Sequence, residues 1–198
     1  VNILFSHALN FRENKIDLKY QGRTAAFLFF EASTRTRMSF ETAAVQLGLH
    51  PLILSGKASS SLEKGETLED TILNIASMSP SVLIIRSGEA LNLNLVDKML
   101  NIPILNAGWG SYGHPTQALL DIYTLTQKMN TLKGVKILIV GDVLHSRVAA
   151  SHQELSKILG YELAWCGPES FMPKDTENKK FNSLEDGLAW GDVVMCLR

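Results

Sequence analysis

Thr24-Ala25-Ala26-Phe27-Leu28-Phe29-Phe30-Glu31-Ala32-Ser33-Thr34-Arg35-Thr36-Arg37 is the stretch on which the fold turns. A run of apolar and β-branched residues reads as a buried strand, and it stops abruptly at small hydroxyl side chains and two arginines. Beyond them Phe40, Ala43, Ala44 and Leu47 recur at helical spacing, so the strand empties into the mouth of a helix. The first N–H groups of a helix have no partner within it, and its N-terminus carries partial positive charge. Ser33, Thr34 and the guanidinium groups of Arg35 and Arg37 placed there make an anion receptor suited to phosphate. The same residues also read as a capped helix whose arginines form surface ion pairs.

Outward from this junction, similar runs occur at 50–54, 81–86, 102–106, 135–140, 161–166 and 192–196, with helical patterns between most of them. Such alternation predicts an α/β protein: parallel strands joined by right-handed crossovers, with helices on both faces of each doubly wound sheet. Ligands of these sheets bind beyond the carboxyl ends of the strands. The clearest helix opens at Pro115, where proline is tolerated, and carries Ala118, Ile122, Leu125 and Met129 on one stripe. Polarity rises at 130–134 and the pattern resets, which predicts domains over 1–131 and 132–198.

With 198 residues, 45% of them hydrophobic, the chain can bury a sizeable core. A net charge of −1 without a long basic run argues against nucleic acid or an anionic membrane as partner. No stretch reaches the length of an apolar membrane span. Cys166 and Cys196 lie in apolar runs without C-x-x-C spacing and read as buried thiols in a reducing, cytoplasmic compartment.

Three further clusters carry chemistry. Ser59-Ser60-Ser61-Leu62-Glu63-Lys64-Gly65-Glu66-Thr67 is a polar loop before a helical pattern from Leu68 to Met78, and equally a solvated turn with an N-cap. Asn106 to Gln117 ends a strand, passes through glycines and enters a helix at Pro115, which fixes His114 at the helix mouth. The helix dipole disfavours an imidazolium there and leaves a neutral ring able to donate to a carbonyl oxygen, with Gln117 one turn further in. Gly141 to Ala149 follows another strand and places Arg147 at a helix start, suited to a carboxylate or to an ion pair with Asp142. No histidine spacing suggests a metal site, no P-loop or G-x-G-x-x-G is present, and no cofactor is implied.

In order, Phe-Phe-Glu-x-Ser-Thr-Arg-Thr-Arg-x-Ser-Phe-Glu at 29–41, Lys-Gly-Glu-Thr at 64–67, His-Pro-Thr-Gln-Ala-Leu-Leu-Asp at 114–121 and Ser-Arg-Val-Ala at 146–149 resemble the catalytic chains of aspartate carbamoyltransferases. The resemblance implies a carbamoyl phosphate-binding domain followed by an aspartate-binding domain, the second incomplete here, with only three strand candidates. It implies that Ser33, Thr34, Arg35 and Thr36 grip the phosphate, with Arg86 assisting. His114, Thr36 and Arg86 would polarise the carbonyl, Gln117 would hold the carbamoyl amide, and Arg147 would hold a carboxylate of aspartate. Ser60 and Lys64 would enter from a neighbouring subunit of a homotrimer, and regulatory chains or pathway enzymes are possible partners in such a family. An ornithine-type carbamoyltransferase and a catalytically silent scaffold are the alternatives. Two residues depart from the family pattern: Ala32 stands in place of a proline, and Trp109 in place of an aspartate, packed beneath the glycine loop or crowding it.

Overall fold

A computed structural model describes residues 1–13, 15, 20–56, 65–88, 96, 98, 100–110 and 113–197. The chain divides into two compact units, Val1–Gly110 and Ser111–Arg198.

The first unit contains α1 (Asn2–Arg12), β1 (Thr24–Phe29), α2 (Thr34–Gln46), β2 (His50–Ser55), α3 (Leu68–Ser77), β3 (Val82–Ser87) and β4 (Ile104–Trp109). Its four strands are parallel, in the order β2-β1-β3-β4. Successive side chains of β1 point to opposite faces, and each face finds its own helix. Ala26 and Leu28, with Phe30 just beyond, pack with Leu68, Ile72 and Ala76 of α3. Ala25, Phe27 and Phe29 pack with Phe40 and Ala44 of α2 and with Leu49. That two-sided burial is why the strand reads as an unbroken apolar run. The chain leaves β1 toward β2 on one side and returns to β3 on the other. The strand order therefore reverses between β1 and β3, the place where such sheets bind ligands.

The second unit contains α4 (Pro115–Thr126), β5 (Lys136–Val140), α5 (Arg147–Leu159), β6 (Glu162–Cys166), a 3₁₀ turn (Glu169–Phe171), β7 (Lys179–Phe181), α6 (Leu184–Trp190) and β8 (Val193–Cys196). Its strands are also parallel, in the order β7-β6-β5-β8, so this sheet reverses between β5 and β8. Gly160 closes α5 in the left-handed conformation at φ +75°, which a glycine adopts without strain.

Four sequence expectations meet differences. β7 is a fourth strand of the second sheet, missed because Lys179-Lys180-Phe181 is short and mostly polar, as an edge strand is. β4 continues past Asn106 to Trp109, through a register shift opposite Ile85 and Ser87 where Gly108 takes φ +111°. The helix from Pro115 ends at Thr126, short of Met129. α4 packs on α5 within the second compact unit, and the pattern break at 130–134 is the turn that follows it. Cys196 is exposed rather than buried, since β8 is an edge of the described sheet. Cys166 and Cys196 both align with Val140 from opposite sides. That puts them about 10 Å apart, two strand spacings, out of disulfide reach. No helix among the described residues is long and apolar enough to cross a membrane.

Candidate active site

The strand ends at the first sheet's reversal point carry the candidate phosphate groups. Phe29 of β1 is in register with Arg86 of β3 and with Ser55 of β2, so Glu31 to Arg37 leave the sheet beside both. Ser33 is the N-cap of α2, extended at φ −158° and ψ 93°, yet its side chain caps nothing. The other helices with a hydroxyl N-cap behave differently. Thr67 accepts from Asp70 N–H, Ser146 from Ala149 N–H and Ser183 from Asp186 N–H. At α2 the ladder opens with Arg37 N–H on the Ser33 carbonyl at 3.2 Å, which leaves the N–H groups of Thr34, Arg35 and Thr36 outside it.

The two arginines separate. Arg37 lies 3.0 Å from Glu41 through Nε and donates to Ser55 Oγ at 2.9 Å, so the surface ion-pair reading describes it well. Arg35 is exposed and has no ion pair among the described residues. Thr34 is exposed and Thr36 half-buried on the same turn. Arg86 is held: Nη2 lies 2.7 Å from Glu31 Oε1, and Nη1 donates to the Ala107 carbonyl at 3.0 Å. Glu31, missed in the sequence, thus balances the charge of Arg86 at the strand ends. Ala32 is exposed beside the N-cap. Ser60 and Lys64 lie outside the described residues.

Trp109 answers its own question. It is fully buried in the cluster of Ala26, Leu28, Phe30 and Ile72, and its indole N–H has no acceptor among the described residues. The ring packs into the core below the strand ends.

The second unit positions His114, Gln117 and Arg147. His114 is the N-cap of α4 at φ −135°, and its backbone N–H donates to Ser151 Oγ of α5 at 2.8 Å. Gly113 makes this approach possible: it sits at φ +94°, and a Cβ there would lie 2.4 Å from Ser151 Oγ. The Thr116 hydroxyl lies 3.3 Å from His114 Nδ1. When Thr116 donates to Nδ1, the neutral ring carries its proton on Nε2. Gln117 Nε2 donates to Asp121 Oδ1 at 3.0 Å, an i, i+4 pair on α4. Asp121 also faces His152, whose other ring nitrogen meets Tyr161. Burial first, and the Asp121 carboxylate second, raise the Tyr161 pKa far above the phenol range, so it stays protonated. Arg147 opens α5 at the carboxyl end of β5, half-buried behind the Ser146 cap. Asp142 takes His145 as a partner, with Nδ1 at 2.9 Å. Thr116, Asp121 and Ser151 were missed in the sequence. Only the i, i+4 spacing of Gln117 and Asp121 carried a signal.

Residues 1–127 match the family described as aspartate/ornithine carbamoyltransferase, carbamoyl-P binding domain. The chain is 43% identical over 198 residues to the aspartate carbamoyltransferase catalytic subunit of Prosthecochloris aestuarii, an alignment covering 98% of this chain and 63% of that relative. It is 46% identical over 176 residues to that of Chlorobium chlorochromatii, covering 87% of this chain and 56% of the relative. The chain thus spans less than two thirds of the length of these relatives. A crystal structure of aspartate transcarbamoylase from Trypanosoma cruzi in complex with carbamoyl phosphate and aspartate superposes with a TM-score of 0.84 at 29% identity, covering 98% of this chain and 70% of that one. The catalytic subunit of M. jannaschii aspartate transcarbamoylase superposes at 0.78 with 33% identity, covering 97% and 65%.

Proposed function

The chain belongs to the aspartate/ornithine carbamoyltransferase family, and from that premise we propose that the protein transfers the carbamoyl group of carbamoyl phosphate to the amine of L-aspartate. The products are N-carbamoyl-L-aspartate and phosphate, a step of pyrimidine biosynthesis. The observation that carries this reading is the start of α2: an N-cap serine that does not cap, N–H groups outside the ladder, and Arg35 without an ion pair among the described residues. Aspartate is favoured over ornithine as acceptor because the relatives at 43–46% identity are aspartate carbamoyltransferases. We assign residues 1–131 to carbamoyl phosphate binding and 132–198 to aspartate binding; the family match over 1–127 supports the first assignment.

The chemistry follows from the donor types. Ser33, Thr34, Arg35 and Thr36 hold the phosphate, with Arg86 exchanging part of its Glu31 pairing for phosphate oxygens. His114, Thr36 and Arg86 donate to the carbamoyl oxygen. The aspartate amine attacks the carbonyl carbon, the new C–N bond forms as an amine proton passes to the departing phosphate, and the C–O bond to phosphate breaks. Negative charge grows on the carbonyl oxygen between these events, so donors fixed before the reaction lower the barrier most. No covalent bond to the protein is needed. Ser60 and Lys64 complete the phosphate site from a neighbouring subunit in a cytoplasmic homotrimer. Native mass spectrometry of the full-length protein should show that trimer, and a monomer at assay concentration would remove the shared site.

The function is tested by steady-state assay of the full-length protein with carbamoyl phosphate and either acceptor. Carbamoyl-aspartate is expected; turnover with ornithine alone, or with neither acceptor, overturns the reading. Arg147→Ala should raise KM for aspartate at least about tenfold, as loss of a charge-assisted pair does. Calorimetry should show carbamoyl phosphate binding unchanged. Collapse of that affinity would move Arg147 to the phosphate pocket or to the fold.

A further inference from the structure

Within the second unit, a chain of hydrogen bonds runs from a buried histidine to the amide of Gln117. His152 on α5 is 1% exposed, and its Nε2 lies 3.3 Å from Asp121 Oδ2. Its Nδ1 lies 3.0 Å from the Tyr161 hydroxyl, which also reaches the His152 carbonyl at 2.9 Å. Tyr161 is itself buried, brought back beneath α5 by the left-handed turn at Gly160. On its other oxygen, Oδ1, Asp121 accepts from Gln117 Nε2 at 3.0 Å. Each carboxylate oxygen therefore has its own donor, one from α5 and one from α4.

An ionised carboxylate only accepts hydrogen bonds, and that settles what its neighbours present. His152 carries a proton on Nε2. Gln117 turns its NH₂ toward Asp121 and its Oε1 away. Nothing in the shape of a glutamine amide prefers one orientation over the other, so the partner decides. Asp121 is only partly exposed, with 27% of its side-chain surface accessible, whereas the His152 side chain is at 2%. The anchor is thus built into the interior and the amide it orients lies nearer the surface.

We propose that Asp121, held by His152 and Tyr161, is a positioning residue that fixes Gln117 as a hydrogen-bond acceptor and thereby selects a carbamoyl group over an acyl group that has no NH₂. The inference rests on the reading of Gln117 as the contact of the carbamoyl amide. A freely turning glutamine would accept from an NH₂ or donate to an oxygen with equal ease. The fixed one only accepts. An acyl phosphate with a methyl group in place of the NH₂ leaves Oε1 unpaired, and a polar group stranded in this way costs more than the contact it replaces.

The test compares three ligands on the full-length protein: carbamoyl phosphate, acetyl phosphate and inorganic phosphate. In the unaltered protein carbamoyl phosphate binds more tightly than acetyl phosphate. In Asp121→Asn the His152 N–H keeps the oxygen of the new side chain, which turns its NH₂ toward Gln117 and reverses the glutamine amide. The preference for carbamoyl over acetyl phosphate should fall about tenfold, the worth of one oriented hydrogen bond, while inorganic phosphate binds within about twofold of its original affinity. His152→Ala should move the ratio in the same direction, and His152→Gln, which keeps an N–H donor, should restore it. An unchanged ratio in Asp121→Asn overturns the proposal, as does an equal loss for all three ligands, which marks a structural role. Should Asp121→Asn fail to fold, the His152 pair decides alone: loss in the alanine variant with recovery in the glutamine variant supports the proposal, and its absence overturns it. An unaltered protein that does not bind carbamoyl phosphate overturns the parent reading as well, whereas a preserved preference in Asp121→Asn removes only the role of Asp121.

Discussion

His114→Ala is expected to slow turnover by about 10²–10³-fold, the usual loss when one donor to a developing oxyanion is removed. The affinity for carbamoyl phosphate should change much less. The reason lies in how the ring is held. Its backbone is tied to Ser151, Gly113 allows that tie, and Pro115 starts α4 immediately afterwards. Thr116 sits beside Nδ1, and with its hydroxyl donating there the proton of the neutral ring is on Nε2. A donor so fixed gains little from the neutral carbonyl oxygen of the bound substrate and much more once that oxygen bears charge. On the proposed function, the loss should therefore fall on kcat rather than on binding. Steady-state kinetics with calorimetry separates the two: equal and modest losses in kcat and affinity would make His114 a binding residue only. The integrity of the variant is checked by circular dichroism, since the Ser151 contact involves backbone and survives the substitution.

How much of this was legible before the structure depends on the range over which each feature is determined. The strand from Thr24 and the helix entered at Ser33 were readable because β1 is buried on both faces, and two-sided burial leaves a continuous apolar run that ends where chemistry begins. Pro115 and the glycines around it marked the seat of His114 for the same local reason. The second sheet was underread at β7, where three residues at an edge, two of them lysines, make no pattern at all. Partners distant in sequence were not legible. Ser151 meets His114 from 37 positions away, and His152 meets Asp121 from 31, contacts that exist only after α4 and α5 pack. Trp109 shows the converse: in the sequence it belonged to a glycine-rich loop, while the shift of register at Gly108 carries β4 on and seats the indole in the core. Among the site residues, the sequence distinguished Arg35 from Arg37 least well. Both read as charges at a helix mouth, and only the Glu41 and Ser55 contacts of Arg37 assign them different work.

That difference sets the second large expectation. Arg35→Ala should weaken carbamoyl phosphate binding by about 10²-fold or more, because a guanidinium meeting a phosphate makes paired, charge-assisted hydrogen bonds. Turnover at saturating substrate should fall as well, since charge accumulates on the phosphate as the C–O bond breaks and the same groups receive it. Arg37→Ala provides the internal comparison. It removes the link between α2 and Ser55 together with the Glu41 pair, contacts at the surface of the unit. Its cost should appear in thermal stability rather than in phosphate affinity. Inorganic phosphate is the sharper probe, as it carries the anion without the carbamoyl group: calorimetric titration of both variants isolates the grip at the start of α2 from the contacts of His114 and Gln117 with the carbamoyl group. Arg35→Lys should recover part of the affinity through charge but not all of it, for an ammonium lacks the planar fork that matches two phosphate oxygens. If Arg37→Ala loses phosphate and Arg35→Ala keeps it, the two arginines exchange roles, and the open N-terminus of α2 is then a capped helix end with a solvated charge beside it.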